Sequence, residues 1–249
     1  MYRPGHAGPD LSEGSSVIVT PITKQCAVVL DRRAHALIGI SPFNSYFSVE
    51  RIRALLAWGL GRFDALHVFV PDVPAAYTLE ASGYSRQEAQ RKARRQANYL
   101  GNKIRRAFEA VGVCGARADE MVLDWARLSD MPAYSDRLEE CRALYRSDSA
   151  FREGCLQSAK WVLQRRAGRN GVSTEALRLG AKYFLTEIPL FVDSAGILKQ
   201  PASVFCYHQC PRFVHELLLG QHGLPISQNQ GFVIVRSRTE DGPRATAAS

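Results

Sequence analysis

Residues 36–48 of this 249-residue chain, ALIGISPFNSYFS, decide its fold. The first five are a short, continuous apolar run, which is typical of a strand buried on both faces of a sheet. A helical pattern begins near Val49, so Ser41 is expected at the carboxyl end of this strand. Ligands bind at that edge of an open α/β sheet, because loops and helix N-termini meet there. Ser41 is therefore a candidate nucleophile, although these residue types also make an ordinary turn or helix cap.

Two residues beside Ser41 suit such a site. Gly39 has no side chain and is expected to leave room for a substrate. Asn44 offers an amide that both donates and accepts hydrogen bonds. The stretch therefore combines a hydroxyl, open space and an adaptable polar group.

The residues that follow extend the strand into a βαβ unit. Apolar residues at helical spacing predict a helix from about 49 to 62, and residues 66–70 predict a second buried strand. Such a crossover gives a parallel sheet. We expect an α/β fold, a single Rossmann-like domain with a mostly parallel sheet over residues 17–237, between flexible tails at 1–16 and 238–249. The chain shows neither a GxGxxG after its first strand nor a P-loop, so no nucleotide cofactor is expected.

Shorter apolar runs predict further strands, and capping residues predict further helices. The strands are expected at 17–20, 26–30, 121–123, 203–208 and 231–235. Residues 137–163 are typical of helices broken near Ser147, and a later helix is expected from Ser173 or Thr174 to Pro189. The total length suits one large domain.

Composition excludes several classes of protein. The six cysteines show no paired CxxC spacing and no signal-peptide pattern opens the chain, so free thiols and a cytoplasmic location are expected. No apolar run approaches the roughly 20 residues that cross a bilayer, so no membrane partner is expected. Residues 206–210, CYHQC, are candidate metal ligands. No second Cys/His cluster completes a tetrahedral site, so no metal is expected.

The net charge of +8 points to a polyanionic partner. Ser85 and Glu88 have capping-box spacing at the start of a helical pattern that runs to about Val111. One face of this helix is apolar, and the other carries seven basic residues with almost no acid: Arg91, Lys92, Arg94, Arg95, Lys103, Arg105 and Arg106. Because like charges on one face repel each other, the phosphates of a nucleic acid are the expected counter-charge. The chain has no recognition-helix signature, so a folded RNA is expected and DNA is not.

Two further polar groups occur in apolar surroundings. Tyr183 and Glu187 are four residues apart and share one helix face. A phenol beside a carboxylate can hold an ammonium group or pass a proton, and an ordinary surface contact has the same spacing. Residues 203–208 end in Tyr207 and His208, which places polar groups at another strand terminus.

Together these motifs resemble the cyclodipeptide synthases, a family that makes cyclic dipeptides from two aminoacyl-tRNAs. The resemblance covers residues 35–235 and rests on residues 39–48, on the pattern YxxxExPLF at 183–191, and on CYH at 206–208. Asn44 with Tyr207 and His208 is similar to the subfamily that carries Asn, Tyr and His at these points. The resemblance implies a Rossmann-like domain similar to the class I tyrosyl- and tryptophanyl-tRNA synthetase catalytic domain, without its ATP signatures.

The resemblance also implies roles for individual residues. Ser41 would take the first aminoacyl group as an ester, Tyr183 and Glu187 would hold its ammonium, and Tyr207 would relay a proton during ring closure. The remaining members of the implied site are Asn44 and His208, which would shape it, the pocket tyrosine Tyr134, the first-pocket residues Leu37, Gly39, Trp125 and Leu190, and the second-pocket residues Phe69 and Phe205.

The partners follow from the same resemblance. They are two aminoacyl-tRNAs, which dock on the basic helix, and a downstream tailoring enzyme that receives the product. The protein would act without ATP or metal, as a monomer or weak homodimer. Bulky apolar pocket residues suggest a product built from aliphatic amino acids such as Leu or Ile.

Two other classes of function share some of these features. A serine hydrolase would combine Ser41 with Asp193 and one of His208, His215 and His222, but the second glycine of a nucleophile elbow is missing. A non-catalytic RNA-binding protein would use the basic helix and treat Ser41 as a helix cap. That alternative gives no function to Tyr183, Glu187 and Tyr207.

Overall fold

A six-stranded sheet forms the centre of the computed structural model, which describes residues 17–167 and 171–237. Its strands are β1 (Val17–Pro21), β2 (His35–Gly39), β3 (Ala65–Phe69), β4 (Val122–Leu123), β5 (Ser203–Tyr207) and β6 (Gln230–Ser237). Their order across the sheet is β1-β6-β5-β2-β3-β4, and all neighbours are parallel except the pair of β1 with β6. The predicted α/β fold with a mostly parallel sheet is confirmed. The predicted tails at 1–16 and 238–249 lie outside the described residues.

Helices cover both faces of this sheet. They are α1 (Lys24–Asp31), α2 (Val49–Arg62), α3 (Ala75–Ala81), α4 (Arg86–Glu109), α5 (Ala116–Glu120), α6 (Trp125–Ser129), α7 (Pro132–Ser147), α8 (Ser149–Ala167), α9 (Thr174–Ile197) and α10 (Arg212–Leu218). The short helices α3, α5, α6 and α10 were not expected from the sequence. Within the described ranges, no helix has both the length and the apolar character needed to cross a membrane.

The strand β2 separates two hydrophobic cores. Leu37 belongs to the core shared with α7 to α10, while Ile38 belongs to the core shared with α2 and α4. Consecutive residues of a strand point to opposite faces, so a strand between two cores is apolar throughout. All five residues of β2 are buried. The prediction of a strand buried on both faces is confirmed.

The predicted starts of helices α2 and α4 are confirmed, and in each case a capping side chain is responsible. α2 begins at Val49 because the Ser48 hydroxyl accepts a hydrogen bond from the Arg51 backbone N–H at 3.2 Å. α4 begins with the predicted capping box, in which the Ser85 and Glu88 side chains each bond to the other residue's backbone. Asp148 separates α7 from α8, which confirms the predicted break near Ser147.

The predicted strand at 26–30 is wrong, because these residues belong to helix α1. A short apolar run does not distinguish a buried strand from one side of a helix. The Thr23 hydroxyl accepts a hydrogen bond from the Cys26 backbone N–H at 3.1 Å and so caps the helix. That capping residue was the available signal for a helix.

The predicted end of α9 at Pro189 is also wrong, because the helix continues to Ile197. A proline inside a helix removes one backbone hydrogen bond, which tertiary packing can offset. The regular geometry breaks later, at Asp193, where φ is −158°. The Ser194 N–H beside this break donates to Gln230 Oε1 at 2.6 Å, so a side chain from β6 satisfies the freed backbone group.

The strand order reverses between β5 and β2. From β2 the chain runs to β3 and β4 on one side, and it later returns to β5 and β6 on the other. The crossovers therefore diverge at the carboxyl ends of these two strands and leave a crevice there. In open α/β sheets, ligands bind in this crevice.

Candidate active site

Ser41 lies at the reversal point, just beyond the carboxyl end of β2. Its Oγ is 2.7 Å from the phenol oxygen of Tyr207, the last residue of the neighbouring strand β5. Either oxygen can donate in this hydrogen bond. The parallel pairing of β2 with β5 thus brings a hydroxyl and a phenol into contact.

Gly39 permits close packing of β5 against β2. A Cβ built on Gly39 would lie 2.8 Å from Cζ of Phe205 and 3.4 Å from Cδ2 of Tyr207. The first distance is shorter than carbon atoms tolerate without a shift. The space that we expected to be open to a substrate is therefore occupied by the Phe205 ring.

The loop between β2 and α2 is held in place from several directions. Phe43 has a φ of 60°, which is unfavourable for a residue with a side chain, and it packs against small residues of α3 and α4. The Asn44 Oδ1 accepts a hydrogen bond from a backbone N–H two residues further on, at 3.0 Å. Lys103 of α4 donates to the Phe47 carbonyl oxygen at 3.2 Å. These contacts fix the backbone that carries Ser41.

Helix α9 supplies the second polar pair of the site. The Tyr183 phenol donates to Glu187 Oε1 at 2.9 Å, as expected for residues one helical turn apart. Both side chains are half-buried and line the same cavity as Ser41. Their i,i+4 spacing on one face was the signal available in the sequence.

Burial shifts the acidity of these groups. It raises the pKa of Glu187 from its ordinary value of 4.5 to about 7, and the hydrogen bond from Tyr183 offsets only part of this effect. Burial also raises the pKa of Tyr183 and of Tyr207 well above their ordinary value, so both phenols remain protonated near neutral pH. The site thus holds two neutral phenols beside a carboxyl group that changes charge near neutral pH.

Asn44 of the loop and His208, which follows β5, come together beside the site. The Asn44 amide nitrogen is 3.4 Å from Nε2 of His208. The His208 ring stacks on Tyr46, with centroids 4.3 Å apart and planes at 19°. The Arg51 guanidinium lies over the Tyr46 ring, with its Cζ 4.7 Å from the ring centroid. The loop and the end of β5 are therefore joined by a stack of rings.

Tyr134 is deeper than expected for a residue that touches a substrate. It is 1% exposed, and its phenol donates to the Thr186 carbonyl oxygen at 2.8 Å. Trp125 packs edge-on against its ring, with centroids 5.9 Å apart. Burial raises the pKa of Tyr134. The Tyr134 phenol thus contacts the backbone of the α9 turn that carries Glu187.

A cavity of about 330 Å³ unites the polar groups. Among the predicted site residues it is lined by Ser41, Asn44, Tyr183, Glu187 and Tyr207. A cavity of this size is at the lower end of the range for small-molecule sites. Five residues that were singled out in separate parts of the sequence therefore face one space.

The six predicted pocket residues lie elsewhere in the described structure. They are Leu37, Gly39, Phe69, Trp125, Leu190 and Phe205, and none of them lines this cavity. Four of them, all except Gly39 and Trp125, belong to the hydrophobic core on the α9 side of the sheet, against which Trp125 packs. Their assignment to aminoacyl pockets stays a prediction.

Sequence reasoning missed several residues of the cavity wall. Thr78 comes from the unexpected helix α3, and Ser158 and Trp161 come from α8. Gln209 follows the end of β5. Helical spacing shows which residues of α8 share a face, but it does not show which element that face meets.

The basic face of α4 is exposed to solvent. Arg91, Arg94, Arg95, Arg105 and Arg106 are all exposed, and within the described residues none of them lies within 4.0 Å of a carboxylate oxygen. The two lysines of the set differ from the arginines. They are half-buried and lie over aromatic rings, Lys92 over Tyr84 at 4.6 Å and Lys103 over Tyr99 at 4.8 Å.

The fold and the site together define an α/β enzyme with a Rossmann-like sheet and a serine as its candidate nucleophile. The sequence pattern of the family described as cyclodipeptide synthase matches residues 17–237. The chain therefore belongs to the cyclodipeptide synthase family. The resemblance seen in the separate motifs is confirmed over most of the chain.

Individual relatives support the same conclusion. The cyclo(L-tyrosyl-L-tyrosyl) synthase of Mycobacterium tuberculosis is 33% identical over 245 residues, which are 98% of this chain and 83% of the relative. The cyclo(L-leucyl-L-phenylalanyl) synthase of Streptomyces noursei is 35% identical over 210 residues, 84% of this chain and 87% of the relative. A solved Mycobacterium tuberculosis protein, described as demonstrating that cyclodipeptide synthetases are related to type I tRNA synthetases, is 31% identical with a TM-score of 0.82. That match covers 95% of this chain and 100% of the solved one.

The hydrolase and the non-catalytic alternatives do not hold. Family membership assigns the chain to a class of synthases. Asp193, the proposed hydrolase carboxylate, is held by the Arg137 guanidinium at 3.1 Å, at the break in α9. His222 bonds to Glu216 at 3.1 Å instead of to Asp193.

Proposed function

We propose that this protein joins two aminoacyl groups, delivered by two aminoacyl-tRNAs, into a cyclic dipeptide through ester intermediates on Ser41. The observation that carries the proposal is the shared cavity, whose wall presents the Ser41 hydroxyl and the Tyr183–Glu187 pair together. A nucleophile and an ammonium site must face one space if an amino acid is to be held and transferred.

The first step is an exchange of esters. The Ser41 hydroxyl attacks the aminoacyl carbonyl carbon, the bond from that carbon to the tRNA ribose oxygen breaks, and an aminoacyl ester forms on Ser41. The reaction is close to neutral in free energy, so it needs no ATP. The neighbour of the Ser41 Oγ is the Tyr207 phenol, which burial keeps protonated and therefore poor as a base. We place the final proton acceptor on the substrate, in the ribose oxygen that leaves.

Glu187 holds the ammonium of the bound aminoacyl group. Burial raises its pKa to about 7, so the charged form is costly there without a cationic partner. An ammonium beside it favours the carboxylate, and the Tyr183 phenol supports that form by donating to Oε1. The Tyr–Glu pair thus matches a cationic amine, which every aminoacyl substrate carries.

The second and third steps form the two peptide bonds. The amine of the aminoacyl group on Ser41 must be neutral to attack the ester carbonyl of the second aminoacyl-tRNA, and Glu187 is the carboxylate placed to accept its proton. The bond from that carbonyl carbon to the second tRNA's ribose oxygen breaks, and a dipeptidyl ester remains on Ser41. The free amine of this dipeptidyl ester then attacks the carbonyl carbon bound to Ser41, the bond from that carbon to Ser41 Oγ breaks, and the cyclic product is released. Tyr207 touches Ser41 and relays a proton to the departing Ser41 oxygen in this step. Asn44 and His208 shape the site around it.

The tRNA docks on the basic face of α4. Five exposed arginines without carboxylate partners among the described residues supply an attraction for phosphates that is independent of sequence. The two lysines have additional contacts with the protein, so we assign them a smaller share of this attraction. A monomer or weak homodimer suffices for this arrangement, and a tailoring enzyme is the proposed recipient of the product in the cytoplasm.

The product is proposed to contain apolar residues such as Leu or Ile. The relatives are named for tyrosyl–tyrosyl and leucyl–phenylalanyl products, so bulky side chains are common to both names. Leu37, Leu190 and Phe205 are the proposed contacts once side chains in the core move to admit the substrate. Apolar pockets distinguish neighbouring amino acids by only about 1 to 3 kcal/mol, so mixed products are expected.

Mass spectrometry of bacteria that express the chain tests the proposal directly. The culture medium of cells with the wild type is expected to contain a new cyclic dipeptide that is absent with Ser41→Ala. The purified wild type, mixed with one aminoacyl-tRNA, is expected to gain the mass of one aminoacyl group on Ser41. A Ser41→Ala protein that still makes the cyclic dipeptide would refute the covalent route.

A further inference from the structure

Trp161 lines both the active-site cavity and a second groove. It lines the cavity that contains Ser41, and it also lines a groove of about 400 Å³ on the outer side of α8. The groove continues along α8 past Gln157, Lys160 and Gln164. The cavity of the candidate nucleophile and the groove on α8 therefore share one large aromatic side chain.

The exposure of Trp161 is unusual for so large a side chain. Trp58 and Trp125 are partly buried and pack against the two hydrophobic cores. Trp161 is 40% exposed. A large, partly exposed aromatic side chain beside an active site is a typical contact for a ligand.

We propose that this groove binds the single-stranded 3′ end of the aminoacyl-tRNA and that a terminal nucleobase stacks on the Trp161 indole. This inference rests on the proposed function, because it requires a nucleic acid attached to the aminoacyl group. The ester carbonyl must reach Ser41, so the nucleotide that bears it must lie at the mouth of the cavity. Trp161 forms part of that mouth.

Several of the other groove residues suit a nucleotide strand, although the carboxylate of Glu153 also lines the groove. Gln157, Lys160, Trp161 and Gln164 lie at helical spacing on one face of α8. Lys160 is exposed and supplies a positive charge for a phosphate. The two glutamine amides can donate to base edges and accept from them, although Gln157 also donates to Glu153 at 3.1 Å. Indole stacking, nearby amides and a cation are the usual means of holding unpaired bases.

Stacking also fits the need to accept two different substrates. Every base has a flat face, so an aromatic side chain binds the end of any tRNA without reading its sequence. The basic face of α4 is separate from this groove, so we assign it to the body of the tRNA. The two surfaces then contact different parts of one substrate.

Kinetics with two kinds of acyl donor test the inference. The proteins are the wild type, Trp161→Ala, Trp161→Phe and the control Trp58→Phe. The donors are an aminoacyl-tRNA and the cyanomethyl ester of the same amino acid, which carries no nucleotide. Trp161→Ala is expected to raise the KM for aminoacyl-tRNA about 10-fold, because stacking on one base contributes about that much to binding. Trp161→Phe keeps an aromatic face and is expected to stay within about 3-fold of the wild type.

The cyanomethyl ester separates a nucleotide contact from a structural role. Acylation of Ser41 by each donor is followed by intact-protein mass spectrometry. The ratio of acylation by aminoacyl-tRNA to acylation by this ester is expected to be about 10-fold lower in Trp161→Ala than in the wild type. An equal loss with both donors would overturn the inference, because the indole would then support the site or contact the amino acid. An unchanged KM for aminoacyl-tRNA in Trp161→Ala would overturn it as well.

A binding measurement gives an answer that does not depend on activity. The RNA trinucleotide CCA is expected to quench tryptophan fluorescence in the wild type and in Trp58→Phe, but not in Trp161→Phe. Quenching that survives in Trp161→Phe would overturn the inference. Failure of the proposed function has a different signature, since the wild type would then form no cyclic dipeptide from aminoacyl-tRNAs.

Discussion

Replacement of Glu187 by Gln is expected to make the protein more stable and much less active. Burial raises the pKa of Glu187 from 4.5 to about 7, so the folded protein holds a proton there that the unfolded chain releases. Between these two values the stability contributed by this group falls as the pH rises. Above pH 7 the full difference applies, which corresponds to about 3 kcal/mol as an upper value. Gln carries no charge and still accepts the hydrogen bond from Tyr183, so the variant avoids this loss.

Urea unfolding of both proteins at several pH values measures the effect. The free energy of unfolding of Glu187→Gln minus that of the wild type is expected to grow by about 2 to 3 kcal/mol between pH 5 and pH 8. Other titrating groups are common to both proteins and cancel in this difference. Glu175→Gln, at the exposed first turn of the same helix, is the matched control and is expected to change stability by less than about 1 kcal/mol. A difference that does not change with pH would refute the reasoning.

The catalytic side of the same substitution has its own pH signature. The carboxylate is the form that holds an ammonium, so the wild-type kcat/KM is expected to fall as the pH drops below about 7. Glu187→Gln is expected to lose about 10- to 100-fold in kcat/KM, the usual effect of a lost hydrogen bond to a charged group. The acid limb of its pH profile should be absent. A variant that keeps this limb would show that another group controls it.

Three further predictions concern the end of strand β2, the basic helix α4 and the Tyr207 phenol. Gly39→Ala is expected to lower stability by about 1 to 3 kcal/mol in urea unfolding, because the new Cβ overlaps a ring of β5; unchanged stability would contradict this packing. Lys103→Met is expected to lower kcat by releasing the Phe47 carbonyl, whereas Arg106→Met should raise KM for tRNA and flatten its salt dependence; identical effects of the two would show that both only bind phosphate. Tyr207→Phe is expected to form acyl-Ser41 at a near-normal rate yet to release cyclic product at least about 10-fold more slowly, and normal turnover would remove Tyr207 from the proton relay.

The parts of the fold that followed from sequence were those set by local chemistry. Ser48 and Ser85 carry capping signals that act within one helical turn, and β2 is apolar because it has a core on each face. The end of α9 could not be predicted in this way. Its continuation past Pro189 depends on Gln230, which is far along the chain and reaches the freed backbone only in the folded protein.

In the candidate site, too, features set by local sequence were predicted, and features set by packing between distant segments were not. Strand ends and i,i+4 spacing were sufficient to single out Ser41, Tyr207 and the Tyr183–Glu187 pair. The depth of a side chain depends on how helices pack over the sheet, and sequence spacing carries little of that information. Tyr134, for example, lies 1% exposed in the core, and its role as a pocket tyrosine stays a prediction. Trp161 was overlooked for the converse reason, because nothing in its own segment shows which side of α8 is open.

The pairing of β1, a strand at the edge of the sheet, with β6 has a consequence for folding during synthesis on the ribosome. Within the described residues, the sheet partner of β1 is β6, the last of the six strands in chain order. β6 also provides the glutamine that closes the break in α9, the helix with the Tyr–Glu pair. Contacts between distant segments form late in folding. A nascent chain that lacks β6 therefore has Ser41 and the Tyr183–Glu187 pair translated but not fixed, so we expect it not to bind charged tRNA before β6 has been added.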